Sequence, residues 1–373
     1  MPPEVVDLFL DLAALPSPPG EEREVADRVA AYLTELGLEV SEDDAGSRID
    51  SNAGNLYARL EATTDGGLPI FLCAHLDTVP LDGRLEPVVE DGVVRNAGGT
   101  ILGADNKASV AAMLEGTRRL LAEGRPHAGV ELVFTLKEEV GLVGVGAFDQ
   151  ERLAARVGYV YDHAAPIGGV LLGSPYSRRL TVSFHGRAAH SGIAPEEGRS
   201  AIVAAARAIA DFRLGRLDEE TTANVGTIHG GTGGNIVPEH CRFTAEVRSH
   251  DEGKLADVVQ EMMDTIAFAA AAAECEVETK VDRSFQGYRL KQDEPAVRLA
   301  AAALERAGYE PRFTLGGGGA DANVFNERGL ACVNIANGMA KIHTPEEEIA
   351  VADLEGMVEV TLALVDCARE VGA

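Results

Sequence analysis

The sequence predicts an α/β fold built on a mixed sheet and interrupted by a smaller inserted domain of the ferredoxin-like α+β kind. Three observations predict it. The first half alternates helical and strand-like runs, the texture changes near Tyr176, and the alternation returns after Gln286 to end in a long amphipathic helix. At 373 residues the chain is also longer than one ordinary core accommodates, so two domains are expected.

The elements follow in order. EEREVADRVAAYLTELG sets Val25, Val29, Leu33 and Leu36 at helical spacing and closes on Gly37. NLYARLEA, PIFLCAHLD, VELVFTLKE and GYVYD read as short buried strands, and NKASVAAMLEGTRRLLAEG is a helix between two of them. Beyond Tyr176 the pattern is strand (RRLTVSFHGR), helix (GRSAIVAAARAIADF), then two strands (TANVGTIHGG and CRFTAEVRS). A second helix (LADVVQEMMDTIAFAAAAAE) and a last strand (CEVETKVDRSF) complete the split βαβ order. The expected division is a discontinuous outer domain, 1–175 with 287–373, and an insert, 176–286.

Composition narrows the function. Hydrophobic residues make up 46% and charged residues 25%, the balance of a folded globular chain. No run approaches the ~20 apolar residues of a membrane helix. The net charge of −27 excludes nucleic acid as a partner, because phosphates would be repelled. The opening MPPEVVDLFLDLAAL is acidic where a signal peptide is basic, so a cytoplasmic enzyme is expected. Cys73, Cys241, Cys275, Cys332 and Cys367 are scattered and form no CxxC pair. Any metal would therefore be held by His, Asp and Glu.

Five places along the chain carry such residues. FLCAHLDTVP delivers His75 and Asp77 at the end of an apolar strand, two residues apart and so on one face. Asp77 is placed to orient the imidazole as a carboxylate behind a metal-bound histidine does, though a structural histidine has the same signature. In GADNKAS, Asp105 is either a helix N-cap or a carboxylate bridging two cations. In LVFTLKEEVGLVGVG, Glu138 and Glu139 close a hydrophobic strand. Strand alternation would turn them opposite ways, one to a metal and one to water as general base; the plain alternative is a solvated strand end. The glycines that follow do not make a GxGxxG fingerprint, which disfavours a dinucleotide. Asp162 ends the strand GYVYD and His343 lies in AKIHTPEEE, and each alone has an ordinary structural reading. Nitrogen and oxygen ligands without thiolates suit a hydrolytic pair of zinc, cobalt or manganese ions.

The order HxD, GADNK, Glu-Glu, Asp and a late His resembles the co-catalytic metallopeptidases that include aminoacylases, carboxypeptidase G, succinyl-diaminopimelate desuccinylase and peptidase T. The contexts GADNKAS, HTPEE and GRAAHSGIAPEEGRSAI are most similar to the peptidase T-like branch. The resemblance implies a zinc-peptidase catalytic domain with an inserted lid and dimerisation domain, two divalent ions per subunit, and a homodimer formed through the insert. It implies that His75 and Asp162 hold one metal, Glu139 and His343 the other, that Asp105 bridges them, and that Glu138 is the general base beside a catalytic Asp77. It further implies that His190 of the insert polarises the scissile carbonyl and that Asn235 and Arg248 hold a substrate carboxylate. Arg248 has support from the residues, since Phe243, Ala245 and Val247 form the apolar face of its strand and leave it on the polar one. GGGGADANVF would line the same pocket through backbone N–H groups, or is a plain loop into a helix. Ser191 departs from the alanine common after that histidine. The peptide bond between Asp105 and Asn106 is expected to be cis. The implied activity is hydrolysis of short peptides by a tripeptidase or aminopeptidase. The alternatives are an N-acyl-amino-acid deacylase or dipeptidase and, in another class, a catalytically silent metal- or peptide-binding protein.

Overall fold

The computed structural model describes residues 4–371, and the chain divides into two compact units, residues 1–174 with 289–373 and residues 175–288.

The first unit is built on an eight-stranded mixed sheet. Its spatial order is Val40–Glu42, Leu56–Leu60, Val130–Thr135, Ile70–His75, Val157–His163, Ala331–Ala336, Gly169–Leu171 and Arg312–Thr314. The four central strands run parallel, with antiparallel pairings flanking them. Ile70–His75 and Val130–Thr135 are buried at every position, as expected for parallel strands covered on both faces. The helices Ala104–Ala122 and Val351–Arg369 pack together over this sheet. A Cβ on Gly116 would come within 2.7 Å of Thr361, so the glycine permits their close approach. A small three-stranded sheet, Pro87–Glu90, Val93–Asn96 and Glu348–Ala350, joins the excursion after His75 to the segment after His343. This arrangement gathers the C-terminal ends of the parallel strands on one edge, the usual place for a site in such folds.

Glu138 and Glu139 do not end a strand. The strand stops at Thr135, Lys137 takes a positive φ of 50°, and the two glutamates lie in the turn beyond. Their orientation is set by that turn and not by strand alternation.

The second unit is a β-sheet in the order Gly215–Arg216, Thr221–Gly230, His240–Ser249, Tyr176–His185, Glu276–Phe285, antiparallel throughout. The helices Ala201–Asp211 and Glu252–Ala272 cover one face, where Leu180, Val182, Phe184, Phe243, Ala245 and Val247 make the core. Without its short first strand the order is that of a ferredoxin-like sandwich. Helix Ala201–Asp211 is capped by Ser200, whose side chain accepts from Val203 N–H, and helix Glu252–Ala272 by Asp251, which accepts from Lys254 N–H. No helix among the described residues is long and apolar enough to cross a membrane.

Candidate metal centre

Each residue of the centre arrives from a strand end or from the loop behind it. His75 ends its strand, and its Nδ1 lies 2.9 Å from the carbonyl oxygen of Asp77. Its Nε2 lies 3.1 Å from Asp105 Oδ1. The other oxygen of Asp105, Oδ2, is 3.2 Å from His343 Nε2, which in turn is 3.0 Å from Glu139 Oε1. Asp162 joins His75 and Asp105, and Glu138 joins His75 and Glu139, in groups whose ligand atoms lie within 4.8 Å of one another. The bond between Asp105 and Asn106 is cis.

These contacts demand positive charge. A carbonyl oxygen only accepts, so His75 Nδ1 must carry its proton toward Asp77. Nε2 then faces a carboxylate, which also only accepts. His343 Nε2 faces two carboxylates at once. Without a second proton or a metal ion at His75 Nε2, lone pair would meet lone pair; at His343, a single imidazole proton on Nε2 has to serve two carboxylates. Burial pushes Glu138 and Asp162 well above the usual carboxylate range, and the neighbouring acids push them further. His75 is raised well above its ordinary value: burial alone would lower it, but hydrogen bonds to Asp105 and Asp77 prevail. His343 is pushed up to about 10, chiefly by Asp105 and then Glu139. Two divalent cations would offset the four carboxylates Asp105, Glu138, Glu139 and Asp162, so the donor set fits such a pair.

Asp77 is wholly buried. Its carboxylate accepts from the backbone N–H of Glu138 at 2.9 Å and of Glu139 at 3.1 Å, which fixes the acidic turn against the histidine strand.

The second unit brings two of its three candidates together. Ser191 N–H donates to Asn235 O at 3.0 Å, and His190 bridges Ile236, so the exposed His190 and Asn235 share one end of the sheet. Arg248 sits at the other end, paired across to Ser177, with its guanidinium on Glu246 and over the Phe285 ring.

Four further residues support the centre; Lys107 lies in GADNKAS, Glu347 in HTPEE and Asp321 in GGGGADANVF, but the sequence assigns none of them a role. Asn334 exchanges hydrogen bonds with the backbone of Asp162. Asp321, in the ADANVF segment, accepts from Thr135 Oγ1 and from Cys73 Sγ, and burial raises it to about 6. Glu347 and Lys107 are both buried beside the Asp105 loop.

The family model of the M20 peptidase dimerisation domain matches residues 173–274, and that of peptidase family M28 matches residues 55–166, the stretch holding His75 through Asp162. The chain is similar to the aminopeptidase PepT structure from Bacillus cereus, at 37% identity over 98% of each chain with a TM-score of 0.89. It is similar to a tripeptidase structure from Staphylococcus aureus, at 33% identity over 98% of each chain and a TM-score of 0.93. A protein of Bacillus subtilis known as YqjE, itself uncharacterised, is 35% identical over 97% of both chains.

Proposed function

The chain belongs to the peptidase T-like branch of the M20 metallopeptidases, and from that premise we propose that it is an aminopeptidase or tripeptidase acting on short peptides. The observation that carries the proposal is Asp105, whose two oxygens turn toward histidines from two different loops. In this reading His75 and Asp162 hold one cation, Glu139 and His343 the other, and Asp105 both. Bound there, two divalent cations supply Lewis-acid polarisation of the scissile carbonyl and bring the pKa of a water toward neutrality. Glu138, buried beside His75 and Glu139, is the residue that would accept the proton of the attacking water and pass it to the departing amine. Asp77 orients His75 and holds the turn that carries Glu138 and Glu139.

The inserted unit supplies substrate contacts in this proposal, His190 to the scissile carbonyl and Asn235 with Arg248 to the substrate carboxylate. A homodimer formed through the insert, with His190 acting on the partner's site, is part of this proposal.

The test is release of amino acids by the protein loaded separately with zinc, cobalt or manganese, on matched tripeptides, dipeptides and acetyl-amino acids. Tripeptides should be turned over fastest. Preference for acetyl-amino acids would make it a deacylase, and two bound metals with no turnover would make it a silent binder.

A further inference from the structure

Helix Ala104–Ala122 begins without a side-chain cap of its own, because its N-cap position is Gly103 in a left-handed conformation. Its orphan amides are taken by a residue more than two hundred positions away. Glu347 Oε2 accepts from Leu102 N–H at 2.8 Å and Gly103 N–H at 2.9 Å, and Oε1 accepts from Asp105 N–H at 2.9 Å. One buried carboxylate thus satisfies three backbone donors of the loop that presents Asp105.

The same glutamate is fixed to the His343 turn. Glu347 N–H donates to Thr344 O at 3.1 Å, and Thr344 Oγ1 donates to Lys341 O at 2.7 Å. Lys341 and His343 both take positive φ, so the turn has an irregular shape that local sequence alone does not favour. A buried lysine backs the clamp. Lys107, 1% exposed, donates to Leu15 O at 2.5 Å; burial pushes its amine down to about 7 against the opposing pull of Glu347 and Asp77. Gly103 takes a φ of 78°, a conformation that side-chain-bearing residues rarely adopt, so glycine suits the start of this loop.

We infer that Glu347 is a positioning residue that sets the spacing between Asp105 and His343, and thereby the affinity of the metal position shared by Asp105, Glu139 and His343. The inference rests on the two-metal reading above. It weighs on the two positions unequally: of the His75, Asp162 and Asp105 set only Asp105 comes from a loop Glu347 holds, whereas of the Asp105, Glu139 and His343 set two come from the loops it joins.

Metal titration against a competing chelator tests it, with zinc as the probe, on wild type, Glu347→Gln, Glu347→Asp and the exposed neighbour Glu346→Gln. Glu347→Gln keeps shape but gives up the charge and one acceptor, and Glu347→Asp keeps the charge but falls one methylene short. In both, the weaker zinc equivalent should loosen by about 10- to 100-fold, the scale of lost ligand-orienting contacts. The other equivalent, which shares only Asp105 with the loops Glu347 joins, should loosen by less, and Glu346→Gln should match wild type. Unchanged binding of both equivalents in Glu347→Gln would overturn the inference. So would equal weakening of both alongside a lowered unfolding temperature of the metal-free protein, which is what a merely structural residue would give. If Glu347→Gln does not fold, Glu347→Asp decides by the same criteria. A wild type that binds fewer than two zinc ions would sink the two-metal reading itself, and this inference with it.

Discussion

Replacing Asp77 with asparagine removes one charge and changes no shape. The carboxylate accepts two backbone N–H groups, from Glu138 and Glu139, and both point at it from a buried turn. A carboxamide has one acceptor oxygen, so one of those donors would face an NH2 group instead. A hydrogen bond to a charged group is worth about 1.5–3 kcal/mol. The turn carries both Glu138 and Glu139, so relaxing it moves a metal ligand and the base together. At about 1.4 kcal/mol per tenfold, zinc affinity should fall by about 10- to 100-fold. Zinc binding is measured by chelator competition, and turnover of a tripeptide is measured at saturating zinc. Asp77→Asn should lose affinity and also turn over more slowly when fully loaded, because Glu138 is displaced as well. An enzyme with wild-type affinity and rate but a lowered unfolding temperature would show that Asp77 only supports the fold, and would refute the argument.

Glu138→Gln should keep two metals and lose at least about 100-fold in rate, whereas Asp105→Ala should lose metal itself, as elemental analysis would show. Chelation should lower the unfolding temperature of the wild type, since ions that bind only the folded chain stabilise it by mass action; an unchanged midpoint would count against a structural metal pair. Burial holds His127 below the ordinary histidine value of 6.5, so its neutral form is the one the fold prefers. Its contribution to stability is present above pH 6.5 and is lost as pH falls through the lower folded value, so the gap between wild type and His127→Gln should be flat above that pH and change below it. Mixing inactive His190→Ala and Glu138→Gln subunits should restore about a quarter of the sites if His190 acts across the dimer, because about half the dimers are then mixed and one site in each is intact. Demonstrated subunit exchange without recovery would place His190 in its own chain's site or nowhere in catalysis.

What the sequence made legible follows from how far each signal reaches. The buried strands PIFLCAHLD and VELVFTLKE announce themselves by composition, and the structure buries every residue of Ile70–His75 and Val130–Thr135. The split βαβ order of the insert was readable because each element is long and periodic. The resemblance also implied the cis bond at Asp105, which the structure has. The turn at Glu138 was misread as a strand end because nothing local marks Lys137 as the residue that takes positive φ. Glu347, Lys107 and Asp321 lie inside segments the sequence marks, but their roles are not legible there, for another reason. Their partners lie at Leu102 to Asp105, at Leu15, and at Thr135 with Cys73, and no local pattern encodes a contact across that separation. The short strands Gly169–Leu171 and Arg312–Thr314 went unseen because three residues carry no periodicity.

The centre also explains a balance that would otherwise be costly. Parallel strands deliver their C-terminal ends to one edge, and here those ends and the loops behind them bring Asp77, Asp105, Glu138, Glu139, Asp162 and Asp321 toward two histidines. Burying so many acids is unfavourable unless something positive compensates, and the upward shifts of Glu138, Asp162 and Asp321 are that cost made visible. The acids divide by how they are compensated. Asp77 takes two backbone amides and Glu347 takes three, so these two spend their charge on holding loops. Asp105, Glu139 and Asp162 face imidazole nitrogens or one another, where only a proton or a cation relieves them. Glu138 has the N–H of its turn held by Asp77, and its buried carboxylate lies near His75 and Glu139. The same environment therefore sorts one residue type by what each carboxylate meets: backbone amides for the two clamps, imidazoles and other acids for the rest.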